Sequence, residues 1–218
     1  DCGLGESRTW LMKFTGIPST ELSPTMSRTV SALRRAMKAL YHVHPEVNSE
    51  DIATAAEKLT DALTKAGTLP LGQESDVRHT RNPITGSMNP IAPPAEYVYG
   101  ENSVSATVRF HEGYQGPPAC VHGGFVAALF DDVLGRTRHL TGRNCVTGSL
   151  SVSYKRPTPL NADLEVVATI KEVLERKFIV AGELTHQGEI LATAEGIFVF
   201  RDTEKFNALV SEARDASR

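Results

Sequence analysis

The sequence predicts an α+β fold, in which an antiparallel sheet wraps one central helix and an N-terminal helical hairpin comes first. Three observations carry this. Five runs rich in Val, Ile, Thr and Phe crowd the second half of the chain. A single helical candidate, apolar on nearly every side, lies between the first of these runs and the second. The early residues carry two amphipathic helical patterns instead.

In chain order, residues 1–25 start on Asp and precede Met26, and are read as a cloning remnant or an unstructured leader. Residues 26–67 are the hairpin. In "TVSALRRAMKALYHV", Val30, Leu33, Met37 and Leu40 form one stripe, and Pro45 ends the helix. In "NSEDIATAAEKLTDALTKAG", Asn48 or Ser49 is the N-cap, Ile52, Leu59 and Leu63 are the apolar face, and Gly67 is the stop. Residues 68–94 are a proline-containing irregular connection of a length that usually wraps a surface or borders a site. The main domain spans 95–202, with strand-like runs at 103–110, 145–156, 163–175, 176–186 and 189–200. The last four are expected to follow one another as an antiparallel meander, with His186-Gln187-Gly188 as a tight turn. Residues 203–218 are a tail.

Composition narrows the function. With 218 residues, 22% charged and a net charge of −3, the chain has no electrostatic footprint for nucleic acid. No uncharged stretch reaches the length of a membrane span. Cys2, Cys120 and Cys145 lack metal-ligand spacing and read as free thiols of a reducing compartment, which implies a cytoplasmic protein. His42 and His44 sit two apart on a helix and point apart, so no metal site is expected. A G-x-S-x-G nucleophile elbow is absent.

The central segment, "PPACVHGGFVAALFDDVLG", carries the chemistry. Asp132 has Arg136 four residues on and is expected to form an ordinary helix-face ion pair. Asp131 finds no cation at those offsets. It either faces water at the helix edge or is an unpaired carboxylate at a functional site, and both readings stand at this point. His122-Gly123-Gly124 offers no Ser, Thr or Asp cap, which leaves N–H groups of the first turn free for an anion or oxyanion. The same residues also suit a tight strand-to-helix turn around a structural histidine. Gly123 and Asp131 are separated by about 12 Å of helix rise. If they cooperate, the site is built from two protomers with antiparallel helices.

"GPPACVHGGFVAALFDDVLG" followed by "VTGSLSVSYKRPTPL" resembles the hotdog-fold acyl-coenzyme A (CoA) thioesterases of the 4-hydroxybenzoyl-CoA and phenylacetate-pathway branch, over roughly residues 88–201. The "NPIAPP" at 89–94 is similar to the segment preceding their first strand. The resemblance implies a hotdog fold of five or six antiparallel strands around the central helix, working as a homodimer or dimer of dimers. It implies hydrolysis of acyl-CoA, with coenzyme A as part of the substrate and no separate cofactor. Gly123 would polarise the thioester carbonyl with His122 beside it, Asp131 would be nucleophile or general base, and Thr147 would orient Asp131 or its water. Arg176 and Lys177, with Ser153 and Lys155, would contact the coenzyme A nucleotide. Gly116 stands where several family members carry Asn or Gln, which leaves any side-chain hydrogen bond there to His122.

Two other classes remain in view. A non-catalytic acyl-CoA sensor on the same fold would have no need of Asp131 and Thr147. A hydratase would be expected to carry a His–Asp pair on the central helix, and residues 124–130 carry none.

Overall fold

The computed structural model describes residues 22–67 and 78–202, with residues 204, 206, 208, 211 and 212. Most of the leader, the stretch 68–77, Cys2 and most of the tail lie outside the described residues.

Helix α1 (Pro24–Tyr41) starts two residues before the expected Met26, because Ser23 caps it by accepting from Met26 N–H and Pro24 occupies the first turn. Helix α2 (Glu50–Lys65) follows, and Gly67, in the left-handed region, stops it. Of the stripe on α1, only Val30 is buried, while Met37 and Leu40 are exposed. Helix α2 buries no residue, although Leu59 lines a cavity of about 470 Å³ shared with Leu33. Polar contacts hold α1 to the body. The Arg34 guanidinium donates to the carbonyls of Gly86, Asn89 and Ala92, Lys38 pairs with Glu112, and Gln115 Nε2 donates to Tyr41 Oη.

The six strands form one antiparallel sheet. They are β1 (Ala95–Tyr99), β2 (Ser103–Val108), β3 (Cys145–Tyr154), β4 (Leu164–Val173), β5 (Lys177–His186) and β6 (Glu189–Phe200). Strand β1, too short and too half-exposed to register as a run, is an addition to the expected set. The order β1-β2-β4-β5-β6-β3 corrects the expected meander. Strands β4, β5 and β6 do follow one another, but β3 pairs with β6 and forms an edge. The β5–β6 turn falls at Gln187-Gly188, both at positive φ, as a two-residue hairpin requires.

Helix α3 (Gly123–Arg136) lies across the sheet and buries Val126, Leu129, Phe130, Val133 and Leu134 against β2, β4 and β5 residues such as Val104, Val166 and Val180. Gly182 permits this approach, since a Cβ there would stand 2.6 Å from Leu134 Cδ1. The wrapping is incomplete. Gly124 and Asp131 are exposed, and Ala127 and Ala128 are half-buried, so one flank of α3 stays open. A short α4 (Arg138–Thr141) leads to β3 through Gly142, whose left-handed φ ends it.

One irregularity positions the site. Strand β3 steps from Thr147, opposite Phe198, to Ser149, opposite Ile197, which leaves Gly148 as an extra residue. Side chains alternate along a strand, so residues seven apart belong on opposite faces. Yet Thr147 and Tyr154 both hydrogen-bond to α3. The bulge at Gly148 changes the alternation once and turns both inward.

Candidate functional site

At the C-terminal half of α3, Thr147 Oγ1 donates to Asp131 Oδ1 at 2.9 Å. Asp131 is exposed and forms no ion pair among the described residues. It lines a cavity of about 160 Å³ with Arg138, Cys145, Val146 and Thr147. Other groups nearby are poor bases. Burial raises the pKa of the Cys145 thiol. His139, on α4, is pushed down to about 4 by burial and then by the charges of Arg138 and Arg136, so it is neutral near pH 7.

The neighbouring carboxylate is the buried one. Asp132 forms the expected pair with Arg136, Nε to Oδ2 at 3.0 Å, but the two side chains are only 10% and 15% exposed. Oδ2 also accepts from Thr85 Oγ1 and Tyr97 Oη, and Oδ1 from Asn82 Nδ2. Arg136 Nη2 donates to Thr85, and its guanidinium lies 3.8 Å from the centre of the Tyr97 ring. Burial, then the negative Asp132, raises the Tyr97 pKa, so its phenol stays protonated and donates. Burial opposes the Arg136 charge, yet the Asp132 carboxylate beside it raises its pKa. The expectation of an ordinary helix-face pair is therefore corrected: this cluster ties the segment around Asn82 to α3. Sequence reasoning missed Asn82, Thr85 and Tyr97, which lie 50, 47 and 35 residues before Asp132. The one local trace is "NPITG", an Asx turn in which Asn82 Oδ1 accepts from Ile84 and Thr85 N–H.

At the N-terminal end of α3 a second expectation is corrected. The first turn is capped, because His122 Nδ1 accepts from Gly124 N–H at 2.9 Å. An imidazole nitrogen does here what Ser or Asp usually does. Gly123 N–H has no partner among the described residues. Tyr154 Oη donates to the Gly123 carbonyl at 2.8 Å, a contact that no spacing in the sequence signalled. Gly123 and Tyr154 line a cavity of about 330 Å³ with Cys120, Val126, Lys155 and Arg156. Gly116 is explained by space, since a Cβ there would stand 2.8 Å from His122 Cα.

The two ends are not brought together within the chain, and the expected nucleotide contacts divide in the same way. Lys177 shares a rung with Val199 and Val146, at the Asp131 end. Ser153 and Lys155 stand at the Gly123 end, about 20–30 Å along β3 and its extension. Arg176 has unforeseen neighbours. Phe200 N–H donates to the Arg176 carbonyl, Arg201 N–H to that of Asn144, and Arg143 Nη1 to that of Glu175. Arg143, Arg176 and Arg201 thus come from three adjacent backbone segments. Among the described residues, no group of three His, Cys, Asp or Glu could hold a metal ion, and no helix is long and apolar enough to cross a membrane.

Comparison with known proteins agrees with this architecture. A sequence model of the thioesterase superfamily matches residues 120–193, from just before α3 into β6. The acyl-coenzyme A thioesterase THEM4 of Bos taurus is 30% identical over 116 residues, 50% of this chain and 48% of that protein. THEM5 of Homo sapiens is 25% identical over 87 residues, 39% of this chain and 35% of that protein. The chain thus spans about half the length, or less, of these curated relatives. Zebra fish thioesterase superfamily member 2, 15% identical with a TM-score of 0.50, shares the fold over 62% of this chain and all of its own. A crystal structure of a thioesterase superfamily protein is 33% identical with a TM-score of 0.71, covering 80% of this chain and 94% of that one. Matched at this identity over nearly all of that protein, the chain belongs to the thioesterase superfamily.

Proposed function

We propose that the protein hydrolyses acyl-CoA thioesters to a free acid and coenzyme A. The observation that carries this reading is the exposed Asp131 carboxylate, held by Thr147 and free of any ion pair among the described residues, at the open edge of β3. The name of the Bos taurus relative supports the substrate class.

In the proposed chemistry the thioester oxygen lies against Gly123 N–H, where the helix dipole favours developing negative charge. Asp131 acts in one of two ways. As general base it takes a proton from water while the water oxygen attacks the carbonyl carbon. As nucleophile it attacks directly and forms a mixed anhydride that water then cleaves. In both, the C–S bond breaks and coenzyme A leaves as the thiolate, then takes up a proton. Thr147 fixes the carboxylate rotamer, and His122 stands beside the oxyanion position.

Each site would then combine Gly123 of one protomer with Asp131 of the partner subunit. The unpaired edge of β3 is a template for pairing with a second copy, and the open flank of α3 runs beside it. Antiparallel pairing of the two β3 strands would bring Ser153 and Lys155 of one protomer towards Arg176 and Lys177 of the other, where the coenzyme A phosphates would lie. Residues 95–202 would carry this chemistry, with the 26–67 helices attached as a separate unit.

The deciding experiment is a panel of acyl-CoA esters, acetyl to palmitoyl and aromatic, with detection of free thiol. Release from at least one ester is expected; ester binding with no thiol release would favour a sensor. Arg176→Ala and Lys177→Ala are expected to raise KM about three- to tenfold with kcat little changed, because phosphate contacts serve ground and transition states equally. The effect should shrink in high salt and vanish on a short acyl-pantetheine. A KM penalty that persists on acyl-pantetheine would place the pair elsewhere.

Shared sites also predict complementation. Gly123→Pro deletes the N–H yet suits the first helical position, and His122, at ψ 131°, already has the backbone that a following proline requires. Mixed with Asp131→Asn, half of the re-associated dimers are hybrid, each with one intact site, so about a quarter of wild-type activity should return. No recovery after demonstrated subunit exchange would refute shared sites.

A further inference from the structure

We propose that Tyr154 is a positioning residue that fixes the tautomer and orientation of the His122 imidazole through a single peptide unit; its bearing on turnover rests on the thioesterase reading above. The Gly123 carbonyl and the Gly124 N–H are the two ends of one planar peptide group. Tyr154 Oη donates to the first at 2.8 Å, and the second donates to His122 Nδ1 at 2.9 Å. The group is therefore held at both ends. A backbone N–H can only donate, so Nδ1 must be unprotonated and the neutral ring carries its proton on Nε2. That leaves Nε2–H as a free donor on the residue preceding Gly123, whose own N–H has no partner among the described residues.

Packing reinforces the clamp. A Cβ on Gly123 would meet Tyr154 Cζ and Oη at 3.4 Å, so the ring already lies against the helix start and walls the cavity there. Tyr154 is 54% exposed, and burial alone does not force its hydroxyl onto the carbonyl. The bulge at Gly148 puts Tyr154 on the face of β3 that meets α3, and its hydrogen bond sets the hydroxyl on that carbonyl. A hydrogen bond to the carbonyl also polarises the same peptide's N–H and strengthens its bond to Nδ1.

Tyr154→Phe keeps the ring and removes only the O–H. The test pairs nitrogen-15 NMR of the neutral His122 ring in the resting protein with kinetics on the best ester of the panel. The wild type is expected to show a single Nε2–H tautomer. The variant should show a mixture, with kcat lowered about three- to tenfold, the size of one hydrogen bond, KM within about twofold and Tm unchanged. A single unchanged tautomer in Tyr154→Phe overturns the proposal, and so does a lowered Tm with the tautomer intact, which would mark the bond as merely structural. If the wild type hydrolyses no ester, the thioesterase reading falls, and the tautomer measurement still decides the clamp.

Discussion

Asp131→Asn is expected to lower kcat on acyl-CoA at least about a hundredfold, the scale of losing a general base or nucleophile. The fold should survive, and with it the dimer of the proposed function. The side chain is exposed, and the bond it receives from Thr147 Oγ1 can be made to an amide oxygen. Free-thiol kinetics and a thermal melt on the same preparation separate the two effects. A variant within tenfold of the wild type, equally stable, would remove Asp131 from the chemistry.

The adjacent residue should fail in a different way. Asp132→Asn is expected to cost about 3–5 kcal/mol of stability, the range for breaking a buried ion pair from one side. Arg136 would keep its charge with no carboxylate against it. Of the donors around Asp132, from Asn82, Thr85, Tyr97 and Arg136, at least one would meet an amide N–H. For a chain of this size the loss lowers Tm by about 10 °C. Denaturant unfolding measures it directly, and an unfolding free energy within about 1 kcal/mol of wild type would contradict the buried network. Under the proposed function, the two aspartates divide one pair of letters in the sequence between chemistry and architecture.

The parts of this fold legible in the sequence are those with local causes. The apolar positions of α3 foretold the buried helix, the alternating runs foretold five strands, and Gly67 and Gln187-Gly188 marked a helix stop and a hairpin. Partner choice has no local cause. Nothing in β3 says that it pairs with β6 rather than β4, and nothing near Asp132 says that Asn82 and Tyr97 will reach it. The lack of a cation at helical offsets singled out Asp131, the resemblance added Thr147 and the role of both, and their oxygens stand 2.9 Å apart. His122 as a cap escaped because capping is usually sought among hydroxyls and carboxylates, although an unprotonated ring nitrogen accepts equally well.

The extra residue at Gly148 also sets a counting rule for insertions and deletions in this strand. While the bulge is kept, the chain between Thr147 and Tyr154 can change length only in steps of two if both are to keep reaching α3; removal of the bulge residue itself is the single-residue change that also keeps them there. Losing Gly148 alone would leave an even, flat strand of six steps that still meets the rule. Losing any single residue from 149 to 153 with the bulge kept would send one of the two outward. An odd interval between such a threonine and tyrosine therefore diagnoses a bulge, and an even interval a regular ladder, in any chain that ties the same two residues to its helix.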